Sequence, residues 1–184
     1  MIETKVLDAA WEEAKIRSLR FTMSDVTRRL RMSKSSLYKL VPSKDELIHD
    51  MLSLAIERFN QEEKQLLSGD LSTREQINRF IKAYLSMMKP MMTAGFLEDL
   101  QLSYPEEYKR WEDFYAEKVA HCIDILRSGV EKGILRPFNL AVVQQCLYTS
   151  ATALTDSSFL KRNNLTYEKA ITDLEEILFC GLLR

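Results

Sequence analysis

The chain has 184 residues, of which 46% are apolar and 29% charged, with only 5 glycines and 4 prolines. This length can bury a core as one large domain or two small ones, and so few turn formers favour a helical protein over a sheet-rich one. The N-terminal sequence is charged, which excludes a secretory signal, and no apolar run reaches the roughly 18 residues of a membrane span. We therefore expect a cytoplasmic protein.

Positive charge is concentrated near the N-terminus, although the formal net charge is only −1. Residues 14–44 hold nine lysines or arginines against one acid, which gives this stretch a charge of +8. Residues 1–13 carry −3 and residues 45–184 carry −6. Such a local excess is typical of a phosphate-binding surface. A solvated basic face is the alternative.

Helix start signals divide the chain in order. Most are a Ser or Thr followed three residues later by an acid, so that the hydroxyl caps the first turn and the acid reaches back. Predicted starts are Thr22, Ser33, Ser43, Ser72, Ser103, Asn139 and Thr166. Apolar residues recur at threes and fours within the segments. We predict an all-α protein of about nine helices, with a domain at 1–46 and a second at 47–184.

The first three helices predict a helix-turn-helix unit. The second helix, 23–30, and the third, 33–41, are joined only by Arg31 and Met32. A short supporting helix, a tight turn and a short polar helix is the arrangement in which the last helix enters the DNA major groove. Leu37, Leu40 and Val41 are predicted to anchor that helix.

The other face of the third helix carries the residues expected to contact DNA. Lys34, Ser35 and Ser36 in its first turn suit base edges, whereas Tyr38 and Lys39 suit phosphates. The alternatives are helix caps for the hydroxyls, a half-buried Tyr38 and solvated lysines. The predicted DNA-binding residues are Thr22, Ser24, Arg31, Ser33, Lys34, Ser35, Ser36, Tyr38, Lys39 and Lys44.

These motifs resemble the TetR-type transcriptional regulators over about residues 3–60. The matching positions are Ala9-Ala10, Thr22, Asp25-Val26, Ser33, Leu37-Tyr38 and Ser43-Lys44-Asp45-Glu46-Leu47. The chain departs from the family where Arg31 and Ser35 replace usual glycines and Leu40-Val41 replaces an aromatic pair. We predict a positive φ at Arg31 at a cost of about 1 kcal/mol, which a phosphate contact would offset.

The resemblance implies a homodimer that binds a palindromic operator and is released by a small, largely apolar ligand. In the family the last two helices, here about 139–160 and 166–183, pair with those of a second subunit. The implied interface residues are Val143, Leu147, Ala151, Leu174, Ile177 and Leu178. The recognition helices would then lie about 34 to 36 Å apart, one turn of DNA.

A ligand cavity is predicted among the middle helices, where Met87-Met88 and Met91-Met92 flank Pro90. Thioethers adapt to irregular apolar shapes, and aromatic groups with polar tips orient a guest. The predicted lining is Met88, Met91, Met92, Phe96, Leu100, Tyr104, Trp111, Tyr115 and Cys122. A methionine-rich core is the alternative, and Pro90 with Gly95 forms a candidate hinge.

Other kinds of function find less support in the residues. Cys122, Cys146 and Cys180 lack a C-x-x-C pair and are interpreted as reduced core thiols. His121, Cys122 and Asp124 lack ligand spacing, so we predict no metal and no cofactor. With two histidines and no glycine-rich phosphate loop, an enzyme is not expected. The alternative function is a helical small-molecule sensor whose N-terminal unit binds protein rather than DNA.

Overall fold

The computed structural model describes residues 3–68, 71–87, 95–154 and 157–182. Within these ranges the chain is α-helical and holds no sheet, which confirms the all-α class. The described part contains ten α-helices, of which nine have at least seven residues, against about nine predicted. They are α1 Thr4–Arg17, α2 Met23–Leu30, α3 Lys34–Leu40, α4 Lys44–Leu66, α5 Thr73–Met87, α6 Phe96–Ser103, α7 Pro105–Glu131, α8 Leu140–Ala153, α9 Ser157–Arg162 and α10 Tyr167–Leu182. None of these helices is long and apolar enough to cross a membrane.

Most predicted cap residues begin the helices as expected, but Ser103 does not, because it is the last residue of α6 and α7 begins at Pro105. Thr22 Oγ1 accepts from the Asp25 amide at 3.3 Å while the Asp25 carboxylate accepts from the Thr22 amide at 2.8 Å. Ser72 and Glu75 make the same reciprocal pair at the start of α5. Ser43 Oγ accepts from the Glu46 amide at 3.0 Å. Each cap satisfies amides that the first helical turn leaves without partners.

Three elements differ from the prediction. The single helix predicted over about 139–160 is divided into α8 and α9, with residues 155 and 156 between them outside the described part. A helix at Phe96–Ser103 begins after Gly95, whose φ of 87° suits a residue without a Cβ. Residues Ser18–Arg20 form a 3-10 turn after α1.

One compact unit comprises Met1–Arg58 and Thr93–Asp113. Val6 of α1, Val26 of α2, Leu37 of α3 and Leu47 of α4 are completely buried at its centre. The rings of Trp11 in α1 and Phe96 in α6 stack at 5.4 Å. The helices predicted to bind DNA therefore share a core with α6.

A second compact unit comprises Phe59–Met92 and Phe114–Arg184. Its core includes Ile77 and Phe80 of α5, Leu126 of α7, and Leu135. Packing is tight at Gly129 of α7, where an added Cβ would lie 2.7 Å from Ile77 Cδ1. A larger residue at that position would require the Ile77 and Leu135 side chains to shift.

Candidate nucleic-acid interface

Helix α3 can be as short as seven residues because one of its sides packs against the rest of its unit. Leu37 and Val41 are completely buried, and Leu40 is half-buried. Seven residues alone would make a marginal helix, so these apolar contacts hold it. Its opposite side is exposed and carries Lys34, Ser35, Ser36, Tyr38 and Lys39.

The turn between α2 and α3 has the left-handed conformation predicted at Arg31, with φ 53° and ψ 40°. The Arg31 amide donates to the Arg28 carbonyl at 3.3 Å, and the Met32 amide donates to the Thr27 carbonyl at 3.1 Å. This pair of bonds is the Schellman motif, in which glycine usually takes the left-handed position. Arg31 therefore forms a glycine-type turn, and its side chain is exposed.

Most of the basic residues in 14–44 are paired within the protomer. The ion pairs are Lys15 with Glu12, Arg17 with Glu13, Arg20 with Asp99, Arg28 with Asp25, and Arg29 with Glu13. Arg31, Lys34 and Lys39 have no carboxylate partner among the described residues. The charge of +8 therefore overstates what is free, and the free cations lie in the turn and in α3.

Glu13 is a structural residue that the sequence reasoning missed. It is 6% exposed, and its Oε1 accepts from Arg29 Nε at 2.7 Å while its Oε2 accepts from Arg17. It thereby ties α1 to α2. The signal was present, because position 13 falls on the same stripe as Val6 and Ala10, where an acid needs a buried partner.

Thr22 and Ser24 have local roles at the start of α2. The Thr22 hydroxyl donates to Asp25 Oδ2 at 2.7 Å, and this bond is the main cause that lowers the pKa of the Asp25 carboxyl. The Ser24 carbonyl accepts from Thr27 Oγ1 at 2.9 Å, and the Ser24 side chain is half-buried. A phosphate at Thr22 would compete with the Asp25 carboxylate for the one hydroxyl proton of Thr22.

Three serines form a small network at the start of α3. Ser33 Oγ accepts from the Ser36 amide at 3.1 Å and lies 2.9 Å from Ser35 Oγ and 2.8 Å from Ser36 Oγ. The three hydroxyls have three protons, and the two oxygen–oxygen hydrogen bonds use only two of them. One O–H donor therefore remains free to face outward. The network holds these side chains in place without using all of their hydrogen-bonding capacity.

Lys44 is anchored rather than free. Its Nζ donates to the Leu19 carbonyl at 2.6 Å and lies 5.0 Å from the centre of the Phe21 ring. Partial burial lowers the pKa of this ammonium. Lys44 therefore joins the start of α4 to the 3-10 turn, with two N–H donors left for an outside acceptor.

Similarity to known proteins extends over almost the whole chain. No family model matches the sequence. The chain is 20% identical over 182 residues to the HTH-type transcriptional regulator YvaF of Bacillus subtilis, an uncharacterized protein, and the match covers 98% of this chain and 95% of YvaF.

Solved structures agree more closely in fold than in sequence. The TetR-family regulator PfmR of Thermus thermophilus superposes with a TM-score of 0.74 at 20% identity, covering 97% of this chain and 99% of PfmR. The chain has the TetR-type fold. The ketosteroid regulator KstR2 of Mycobacterium tuberculosis gives 0.77 at 16% identity, covering 98% and 94%. A protein described as a transcriptional regulator from Saccharomonospora viridis, solved with choline, gives 0.80 at 14% identity, covering 98% and 97%.

The predicted ligand residues are divided between the two units. Met88, Met91 and Met92 lie outside the described residues. The first unit holds Phe96, Leu100, Tyr104 and Trp111. The ring of Phe96 is already stacked on Trp11. Tyr104 is half-buried, and this burial raises the pKa of its hydroxyl.

The second unit holds the other two, Tyr115 and Cys122. Tyr115 lines an open cavity of about 400 Å³ with Val119 and Ile123 of α7 and Gln144 of α8. Cys122 is buried away from solvent, which raises the pKa of its thiol to about 12.

The prediction of three core thiols is wrong for two of them. Cys122 is buried, but Cys146 on α8 and Cys180 on α10 are exposed. They lie on the outward sides of their helices, where helical periodicity rather than residue type decides burial. The described residues contain no group of three His, Cys, Asp or Glu arranged to hold a metal ion.

The predicted interface residues differ in how much surface they offer. Val143 and Leu147 are 9% and 3% exposed, so their apolar surface is used inside the protomer. Leu174 and Leu178 are half-buried, and the Ala151 side chain lies outside the described part. Ile177 on α10 is 69% exposed, and Val142, which precedes Val143 on α8, is 58% exposed.

Proposed function

We propose that the chain is a ligand-responsive, DNA-binding transcriptional regulator that acts in the cytoplasm as a repressor and has no enzymatic role. Residues 1–46 bind DNA, and residues 47–184 bind ligand and form the homodimer. The observation that carries this proposal is the exposed side of α3, where Lys34 and Lys39 have no carboxylate partner among the described residues. The similarity to transcriptional regulators of TetR type supports it.

The exposed side of α3 suits a major groove chemically. Lys34 donates to guanine O6 and N7, and the free hydroxyl donor of the serine network pairs with a base edge. Tyr38, with 47% of its surface exposed, and Lys39 reach phosphate oxygens. Buried Leu37 fixes the orientation of all these groups because it anchors the helix.

The operator is a palindrome read by a homodimer. Val142 and Ile177 expose more apolar surface than their helices need in a lone protomer. A second copy that covers them places two α3 helices on one side of the duplex, about 34 to 36 Å apart.

The effector is a small, largely apolar molecule. The S. viridis regulator, whose fold this chain shares, was solved with choline, which supports a small-molecule effector. The cavity beside Tyr115 is large enough for a small guest. A ligand releases the operator only to the extent that it binds the DNA-free state more tightly.

Fluorescence anisotropy with a double variant tests DNA binding. We expect the wild type to bind a duplex from upstream of its own coding sequence, with log affinity falling by about 0.9 for each phosphate neutralised per log unit of salt. Lys34→Ala with Lys39→Ala should lower affinity at least tenfold and make that salt dependence shallower. Lys64→Ala with Lys109→Ala is the matched control, because both lysines are exposed and lie outside α3.

Two results would contradict the proposal. In the first, the wild type shows no salt-dependent affinity for any duplex. That result would favour the alternative function, a small-molecule sensor whose N-terminal unit binds protein. The other is equal affinity of the two double variants, which would remove α3 from the interface.

A further inference from the structure

Arg31 combines a disfavoured backbone conformation with an unpaired charge. At φ 53° the Cβ of an L-residue crowds the following carbonyl, a conflict that glycine avoids. The two hydrogen bonds that close the turn use only backbone groups of Arg31 and Met32. The turn itself therefore gains nothing from an arginine side chain.

The Arg31 guanidinium is also unused within the protomer. Arg28 and Arg29, in the last turn of α2, pair with Asp25 and Glu13. Arg31 is exposed and has no such partner in the part of the chain that the structure describes. Its charge is free for an outside anion.

The position of Arg31 indicates which anion this is. It directly precedes Met32 and the Ser33 cap, so it stands beside the start of α3, where the groove-facing side chains begin. A guanidinium presents a rigid fork of donors that matches phosphate oxygens. Resting on the proposed function, we propose that Arg31 binds a DNA backbone phosphate in each half-site and so sets the position of α3 in the groove.

The variant Arg31→Gly separates this role from a structural one. Because glycine relieves the left-handed strain, the melting temperature should equal or exceed that of the wild type. Duplex affinity should fall, and the slope of log affinity against log salt should become shallower by about 1.8 for a dimer that loses two phosphate contacts. Arg31→Lys keeps the charge and should keep most of the slope.

The double variant that lacks Lys34 and Lys39 is measured in parallel with Arg31→Gly. If that variant loses duplex binding while Arg31→Gly keeps both wild-type affinity and wild-type slope, the phosphate contact is overturned and the proposed function stands. A loss of affinity at an unchanged slope also overturns it, since turn shape alone would then explain the effect. If the wild type binds no duplex, the proposed function and the contact fail together.

Discussion

Pairing with individual carboxylates decides which cations in residues 14–44 are free to bind DNA. Glu13, Asp25 and Asp99 each accept one or more arginines from α1, α2 or the 3-10 turn. A linear count of charge treats these arginines as equivalent to Lys34 and Lys39. Pairing weakens the attraction of these arginines for a phosphate, because the nearby carboxylate offsets part of the guanidinium charge.

Asp99 gives a residue-scale prediction about acid. It is 8% exposed, and its Oδ1 accepts from Arg20 Nη2 at 3.2 Å. The pKa of its carboxyl is lowered chiefly by the Ser18 hydroxyl, although that contact falls short of a regular hydrogen bond, and then by Arg20. The carboxylate is therefore favoured in the folded state.

A lowered folded-state pKa contributes stability that is complete above the ordinary aspartate value of about 4 and is lost as pH falls through the lowered value. Asp99→Asn should reduce stability by about 1 kcal/mol at pH 7, or about 2 to 4 °C in melting temperature. The difference from the wild type should shrink below about pH 4. Thermal melts from pH 3 to 7 measure it, with the exposed neighbour Glu98→Gln as control. A constant difference at every pH would contradict the assignment.

At the scale of helices, contacts between residues close in sequence were predictable, whereas contacts between distant residues were not. The caps at Thr22, Ser43 and Ser72 use residues three apart, which a sequence displays directly. The left-handed Arg31 was predicted from the resemblance, because TetR-type regulators usually have a glycine at this position. The ion pair between Arg20 and Asp99 joins residues 79 positions apart, and nothing in either local sequence indicates the other.

The clearest hidden contact joins α4 and α7 inside the second unit. Lys118 Nζ donates to Glu63 Oε2 at 2.7 Å, and these residues are 6% and 8% exposed. The ammonium also lies 5.7 Å from the Phe59 ring and 5.5 Å from the Phe114 ring. Both charges lie on amphipathic helices, and their burial depends on packing that only the folded unit provides.

At the scale of the whole molecule, helix content and the TetR-type fold were predictable because many weak signals agree. The candidate sites were less predictable from the sequence. Val143 and Leu147 have the right residue type for an interface, but the protomer core already uses them. Periodicity identifies an apolar stripe without saying whether the chain itself or a second copy covers it.

The proposed dimer gives a prediction at this scale. Ile177→Glu should convert the dimer to a monomer and weaken palindrome binding at least tenfold, because an apolar interface cannot bury an unpaired carboxylate. Sedimentation velocity measures the assembly. Leu102→Glu is the matched control, since Leu102 is 75% exposed and belongs to α6 rather than to α8 or α10. A dimer that persists unchanged in Ile177→Glu would exclude Ile177 from the interface.

The central claim is that the free side of α3 contacts DNA, and lysine labelling of the unaltered protein tests it most directly. Reductive methylation followed by mass spectrometry reports the reactivity of each amine with and without saturating duplex. We expect Lys34 and Lys39 to be protected several-fold by the duplex, while the exposed Lys64 and Lys109 label equally in both samples. Equal labelling of Lys34 and Lys39 while duplex is bound would contradict the account.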